Sequence, residues 1–145
     1  MIKGVEDLEV YNRSMNLLSS VYRLANSLPR SEYKRKRQLT DAAGSIAALI
    51  AEGFGKRRSE KEFKRFLGMA LGSSDEVITH IRQIKIIGFP KANIQDCDTL
   101  IEEHKIISKQ INTLIKVWKN FGPQEKIGAI RSSDKSDLPN REMMI

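Results

Sequence analysis

The sequence predicts an all-α protein: an up-down-up-down antiparallel four-helix bundle over residues 1–121, followed by a disordered C-terminal tail over residues 122–145. Three observations lead there. Apolar residues recur at helical spacing in four long segments. Only short stretches of breakers separate these segments, which makes consecutive helices antiparallel neighbours. No segment alternates apolar and polar side chains as a half-buried strand would.

The first segment, residues 7–28, carries Leu8, Tyr11, Met15, Leu18, Tyr22 and Ala25 at steps of 3-4-3-4-3, the seam of a packed helix. Pro29 ends it. The second, residues 31–54, has Ser31 as its expected N-cap and Gly53 and Gly55 as stop signals. Ser45 is the only polar side chain in its centre, residues 42–51. Ser59 opens the third, with Glu62 completing a capping box. Phe63, Phe66, Ala70, Val77, Ile81 and Ile84 carry that helix to Gly88-Phe89-Pro90. The fourth starts near Asn93, reads Cys97, Leu100, His104, Ile107, Ile111, Leu114, Trp118 and Phe121, and stops at Gly122-Pro123. Beyond it the chain is rich in Ser, Asp, Lys, Gly and Pro without periodicity, and truncation there is expected to cost little stability.

A length of 145 residues fits one domain with a single core. No apolar run approaches the ~18 residues of a membrane span, and the acidic start lacks the apolar centre of a secretory signal. Cys97 is the only cysteine, which excludes an intrachain disulfide and fits a reducing cytoplasm.

Helix one carries a second apolar series, Val10, Leu17, Val21, Leu24 and Leu28, and helix two adds Ala42 and Leu49 beside its line of Leu39, Ala43, Ile46 and Ile50. Either the core stripe is wide, or a second subunit covers the surplus. Because the surplus falls on two neighbouring helices, Val10, Leu17, Val21, Leu24 and Leu49 are expected to form an oligomer interface.

The charge is concentrated. Residues 30–65 hold eleven cations against five acids, a surplus of six within a net charge of +7. They form two runs: Arg30 with Lys34, Arg35, Lys36 and Arg37, and Lys56, Arg57 and Arg58 with Lys61, Lys64 and Arg65. A helix of about 24 residues is roughly 36 Å long, so one run lies at each end of the bundle. The second follows a helix C-terminus, where the dipole favours cations. The first occupies the opening turns of helix two, where the dipole opposes them. That run is either solvated surface or a phosphate-binding face. The expected nucleic-acid contacts are Arg30, Lys34, Arg35, Arg37, Lys56, Arg57, Arg58 and Lys61. No stacked-aromatic RNA-binding signature is present, so such contacts would go to the backbone.

The motifs of catalysis are missing from the sequence. A di-iron bundle needs Glu-x-x-His on two helices, but Val77 and Ile101 stand where those glutamates would be. Glu76 and His80 read as a surface pair, His104 as a half-buried core residue and Cys97 as core. There is no phosphate loop or nucleophile elbow. No enzyme activity, metal or cofactor is expected.

The stretch Ala42-Ala43-Gly44-Ser45-Ile46, then Ile50-Ala51-Glu52-Gly53, Ser59, Glu62-Phe63, Phe66-Leu67, Ala70, Gly72-Ser73, Glu76 and Gly88-Phe89 resembles the bacterial 23S rRNA intervening-sequence proteins. Asp7-Leu8 with Val10-Tyr11 resembles that family's opening. The likeness spans about residues 5–121. Leu49 departs from it, since the family usually has Asn there. The resemblance implies a helical bundle assembled into a ring, commonly a pentamer. It also implies a relation to the basic pentameric accessory proteins of diversity-generating retroelements, which bind nucleic acid and a reverse transcriptase. Among the shared residues, Gly53 is expected to end its helix in a left-handed turn, Gly72 to allow close helix approach, and Glu52 to pair with Arg57 or Arg58. Two functions remain open: a nucleic-acid-binding oligomer, or a protein-interaction scaffold whose charges confer solubility.

Overall fold

The computed structural model describes residues 2–119. The expected tail and Phe121 lie outside the described residues. A short 3-10 turn, Val5–Asp7, leads into α1 (Glu9–Asn16) and α2 (Leu18–Asn26). These two make one leg of the bundle. Leu17 between them keeps right-handed helical torsions, its N–H bonds to the Arg13 carbonyl, and its own carbonyl accepts from Val21. A second 3-10 turn, Arg30–Glu32, precedes α3 (Tyr33–Gly55); α4 (Glu60–Ile87) and α5 (Ile94–Val117) complete an all-α bundle. In space α3 packs on α4, α4 on α5, and the first leg on both α3 and α5. Each helix thus touches its neighbours in sequence, and the ring of contacts closes.

The local signals explain most of the boundaries. Ser59 Oγ accepts the Glu62 N–H at 3.2 Å, and Asn93 Oδ1 accepts the Asp96 N–H at 3.1 Å, each satisfying an otherwise orphan donor of a first turn. Gly88, at φ 77° and ψ 49°, ends α4 in the left-handed conformation, its N–H bonded to the Ile84 carbonyl. Ser31 is not the N-cap expected of it, because the 3-10 turn takes residues 30–32 and α3 opens at Tyr33 with no side-chain cap. The last helix stops at Val117 rather than running to residue 121. Trp118 has extended backbone there and folds back over the core.

The apolar series of α4 and α5 are buried along their length, from Phe63 to Ile84 and from Cys97 to Trp118. At the α3–α4 turn, Phe54, Phe63 and Trp118 close the end of the core with three edge-to-face contacts, at centroid separations of 6.1, 6.4 and 4.6 Å. Polar ties hold the helices in register. Ser45 donates to Ser73 at 2.7 Å between α3 and α4. Between α4 and α5, Ser74 donates to the His104 carbonyl at 3.0 Å, and Ser108 donates to Ser74 and Asp75, both at 2.9 Å. Arg13 joins α1 to α5 by pairing with Glu9 and Glu103, both at 2.8 Å, and Gln110 hydrogen-bonds the same Glu9. Burial lowers the pKa of Arg13, but the hydrogen bonds to Glu9 and Glu103 outweigh it and the net shift is upward.

Two glycines do not play the roles expected of them. Gly53 lies inside α3, not in a left-handed turn. A Cβ added there would stand 2.6 Å from Phe66 Cβ, so its missing side chain is what lets α3 and α4 approach. A Cβ on Gly72 would meet nothing within 4 Å.

The two seams of the first leg divide differently from the expectation: Leu8 and Ala25 of the first are buried at 1% exposure, but its middle turns outward. Val10, Val21 and Leu24 are 1%, 0% and 4% exposed within the single chain, so they belong to its own core and not to an interface. Leu17 and Leu49 are half-buried against the same core. Met15 and Tyr22 face outward at 45% and 50% exposure, with Tyr11 and Leu18 half-buried beside them. Both seams are apolar, so periodicity could not choose between them. Chemistry did: aliphatic side chains bury without a polar remnant, whereas a tyrosine turned inward needs a partner for its hydroxyl.

His104 is fully rather than half buried, and its Nδ1 bonds the Leu100 carbonyl at 2.7 Å. A carbonyl only accepts, so Nδ1 carries a proton. Burial pushes its pKa below the usual histidine value.

This packing sets the expected response to two glycine substitutions and to pH. Gly53→Ala should lower the denaturant midpoint, with a cost of about 1–3 kcal/mol for overpacking against Phe66. Gly72→Ala should raise it by roughly 0.5–1 kcal/mol, because it adds helix propensity where there is room. Equal signs for the two would contradict the assignment. His104 resists protonation in the fold but accepts it once unfolded. Stability should therefore be full above about pH 6.5 and fall as pH drops below that value towards the depressed pKa. In His104→Leu that part of the pH slope should vanish, as read from urea midpoints at about pH 5 to 8.

Candidate nucleic-acid interface

The basic runs occupy opposite ends of the bundle. The upper end gathers the start of α3 and the α4–α5 turn; the lower end gathers the α3–α4 turn and the end of α5.

At the upper end, Arg30, Lys34 and Arg37 are exposed and Lys36 is half-buried. Among the described residues these four form no ion pair. Arg35 differs from them: its guanidinium stands 3.8 Å from Glu32 and donates to Gln83 of α4 at 2.9 Å. It fastens α3 to α4 and so, contrary to expectation, is not a freely available cation. The first turn of α3 contains no acidic residue, although α4 opens with Glu60 and Glu62 and α5 with Asp96. The chain thus places acids in the first turns of α1, α4 and α5, whereas at α3 the acid is the N-cap residue Glu32 and the first turn carries Lys34, Arg35 and Lys36 instead. A late helix start does not remove the conflict, because α3 begins at Tyr33 and Lys34 and Arg35 follow at once. Lys91, in the α4–α5 turn, is exposed at this end.

At the lower end, the protein's own aromatic rings engage several cations. Lys56 Nζ stands 4.8 Å and Arg65 Cζ 4.6 Å from the centre of Phe66. Arg57 lies 4.1 Å over Phe54 and donates to the Phe54 carbonyl at 3.0 Å. Lys64 pairs with Glu60 at 2.7 Å and Arg65 with Glu62 at 2.9 Å. The Arg65 hydrogen bond holds the Glu62 carboxyl below its ordinary pKa. Arg58, Lys61, Lys116 and Lys119 are exposed. Glu52 forms no ion pair with Arg57 or Arg58; the Arg65 pKa is held up by Glu62, with a lesser contribution from the Glu52 charge. Arg57 is unavailable to it because a backbone carbonyl and a ring already hold that guanidinium.

Glu76 and His80 stand together as expected, with Nε2 3.5 Å from Oε1. Cys97 is buried, and burial pushes its thiol pKa up, with Asp98 and Asp96 adding to the shift. Among the described residues, no three His, Cys, Asp or Glu side chains come together in a way that could hold a metal. An open groove between α4 and α5 is lined by Arg82, Lys85, Ile86, Asp98, Ile101 and Glu102. Lys85 and Asp98 neutralise each other within it at 2.6 Å. No helix among the described residues is long and apolar enough to cross a membrane.

Sequence periodicity did not flag the exposed apolar side chains. Tyr33 is 64% exposed among the upper cations, and Ile86 is 84% exposed near the α4–α5 turn. For Tyr33 a signal was available: an aromatic ring directly between Arg30 and Lys34, outside every apolar series.

A comparison with curated proteins gives no match. The family model described as "23S rRNA-intervening sequence protein" matches residues 6–113, from the first 3-10 turn to the last turns of α5. Most of the bundle, the Ser59 and Asn93 caps and the glycine at the α3–α4 contact fall within that span, and the chain belongs to the 23S rRNA-intervening sequence protein family.

Proposed function

We propose that the chain is a non-catalytic, homo-oligomeric nucleic-acid-binding protein that holds RNA or DNA through backbone phosphates. The observation that carries this reading is the start of α3, where Lys34, Lys36 and Arg37 have no ion-pair partner among the described residues and sit against the helix dipole, with Arg30 equally unpaired in the turn before them. Charge placed against a local preference indicates a use outside the fold. A polyanion gains from such a cluster by releasing counterions. The name of the family, which refers to ribosomal RNA, is compatible with an RNA ligand.

Assembly is supported by the outward seam of the first leg. Tyr11, Met15, Leu18 and Tyr22 follow one helical face. Glu9 and Arg13 of the same leg reach α5 from nearly the opposite face, so the seam lies on the α3 side. A second copy packed there would cover it, and closure into a ring would repeat the basic cluster in every subunit, adding weak contacts through multivalency. A pentamer, a cytoplasmic setting and a reverse transcriptase as protein partner accord with the family resemblance and complete the proposal.

Light scattering should therefore give several times the 16.5 kDa chain mass. Met15→Glu should reduce that mass while helical content persists, whereas Val21→Glu should unfold the chain by burying an unpaired charge. A wild-type monomer at micromolar concentration would remove the assembly. Nucleic-acid affinity should fall steeply with salt. Arg30, Lys34 and Arg37 changed together to Gln should flatten the slope of log affinity against log salt by ~0.7–0.9 for each phosphate no longer neutralised. Lys56, Arg58 and Lys61 changed together to Gln should flatten it less. A wild-type protein that binds neither RNA nor DNA at low salt would leave the scaffold reading.

A further inference from the structure

We infer that the upper end selects single-stranded nucleic acid, with Tyr33 as a platform on which one base stacks among phosphate-contacting cations. The inference rests on the proposed nucleic-acid binding and adds the state of the strand and the residue that reads it. Tyr33 is the first residue of α3 and is 64% exposed. Among the described residues it makes no hydrogen bond and no ring contact, so the fold makes little use of its ring. Arg37 lies one turn further on the same helical face, about 5–6 Å away between Cβ atoms, and Lys34 and Arg30 flank it in sequence. All three cations are exposed and lack acidic partners among the described residues.

The ligand follows from this combination. Cations alone attract the backbone of any nucleic acid. An exposed ring adds affinity only where a base face is free, because in a duplex the faces are stacked inside. Charge disfavours a second copy of the chain as the occupant across a two-fold contact, where the same unpaired Arg30, Lys34 and Arg37 would face each other. Among the described residues the lower end lacks the combination. Phe54 and Phe66 are each 5% exposed, and the chain's own Arg57, Lys56 and Arg65 lie over them. Those rings offer no face to a base, so the described residues of that end contribute phosphate contacts alone.

The test is a fluorescence-anisotropy titration of the full chain with one mixed sequence as single-stranded RNA, single-stranded DNA and duplex DNA, at several salt concentrations. Wild type should favour both single strands over the duplex. Tyr33→Ala should weaken single-strand binding at least roughly tenfold, the effect of losing one stacked base. It should leave duplex affinity and the salt slope unchanged, and Tyr33→Phe should restore binding. Photo-crosslinking to 5-iodouridine RNA should place the adduct on Tyr33. Equal losses on single strands and duplex, no loss in Tyr33→Ala, or adducts confined to the lower end would overturn the inference while leaving nucleic-acid binding in place. Absence of binding to all three probes would overturn both readings.

Discussion

The contact of Gly53 with Phe66 sets the geometry on which the rest of the bundle depends. A Cβ at residue 53 would come within 2.6 Å of Phe66 Cβ and 3.2 Å of the Phe63 ring, so only glycine lets α3 and α4 meet this closely beside their turn. The close approach brings Phe54 of α3 against Phe63 of α4, and Trp118 completes the cluster from the end of α5. With the core closed there, Phe66 and Phe54 present their ring faces to Lys56, Arg65 and Arg57. One missing side chain thus bears on helix spacing, the closure of the core and the placement of three of the lower cations.

The opposite end follows different physics. Among the described residues no aromatic cluster holds its cations, and the acid at the mouth of α3, Glu32, pairs with Arg35 alone. Only Arg35 is used internally, through Glu32 and Gln83. The lower cations follow a helix C-terminus, where the dipole already favours them. The upper ones are opposed by it. Local electrostatics therefore accounts for one cluster and not for the other, which is why the functional proposal rests on the upper end despite similar charge at both.

Polar side chains inside the bundle set register rather than chemistry. Ser45, Ser73, Ser74 and Ser108 are small enough to bridge helices without spreading them, and each bridge satisfies a hydroxyl that burial would otherwise penalise. Arg13 gathers Glu9 and Glu103 between the first leg and α5, giving direction to a contact that apolar packing alone would leave free to slide. The first leg needs this tie because its two seams are both apolar.

Helix number, order and most boundaries were legible in the sequence, because period 3.6, capping side chains and breakers are local properties of the chain. The core faces of α4 and α5 were legible for the same reason: each has a single apolar series. The basic ends could be read as well, since helix length separates residue 34 from residue 56 by simple rise. Other features needed the tertiary structure. Which seam of the first leg turns inward depends on what α3 and α5 present to it, and Val10, Val21 and Leu24 went in while Met15 and Tyr22 stayed out. Gly53 and Gly72 are the same residue type in similar helical surroundings, and only the neighbouring helix distinguishes a required glycine from a replaceable one. The partner of Arg35 on α4 was likewise decided across helices, by a contact that spacing along one helix does not encode.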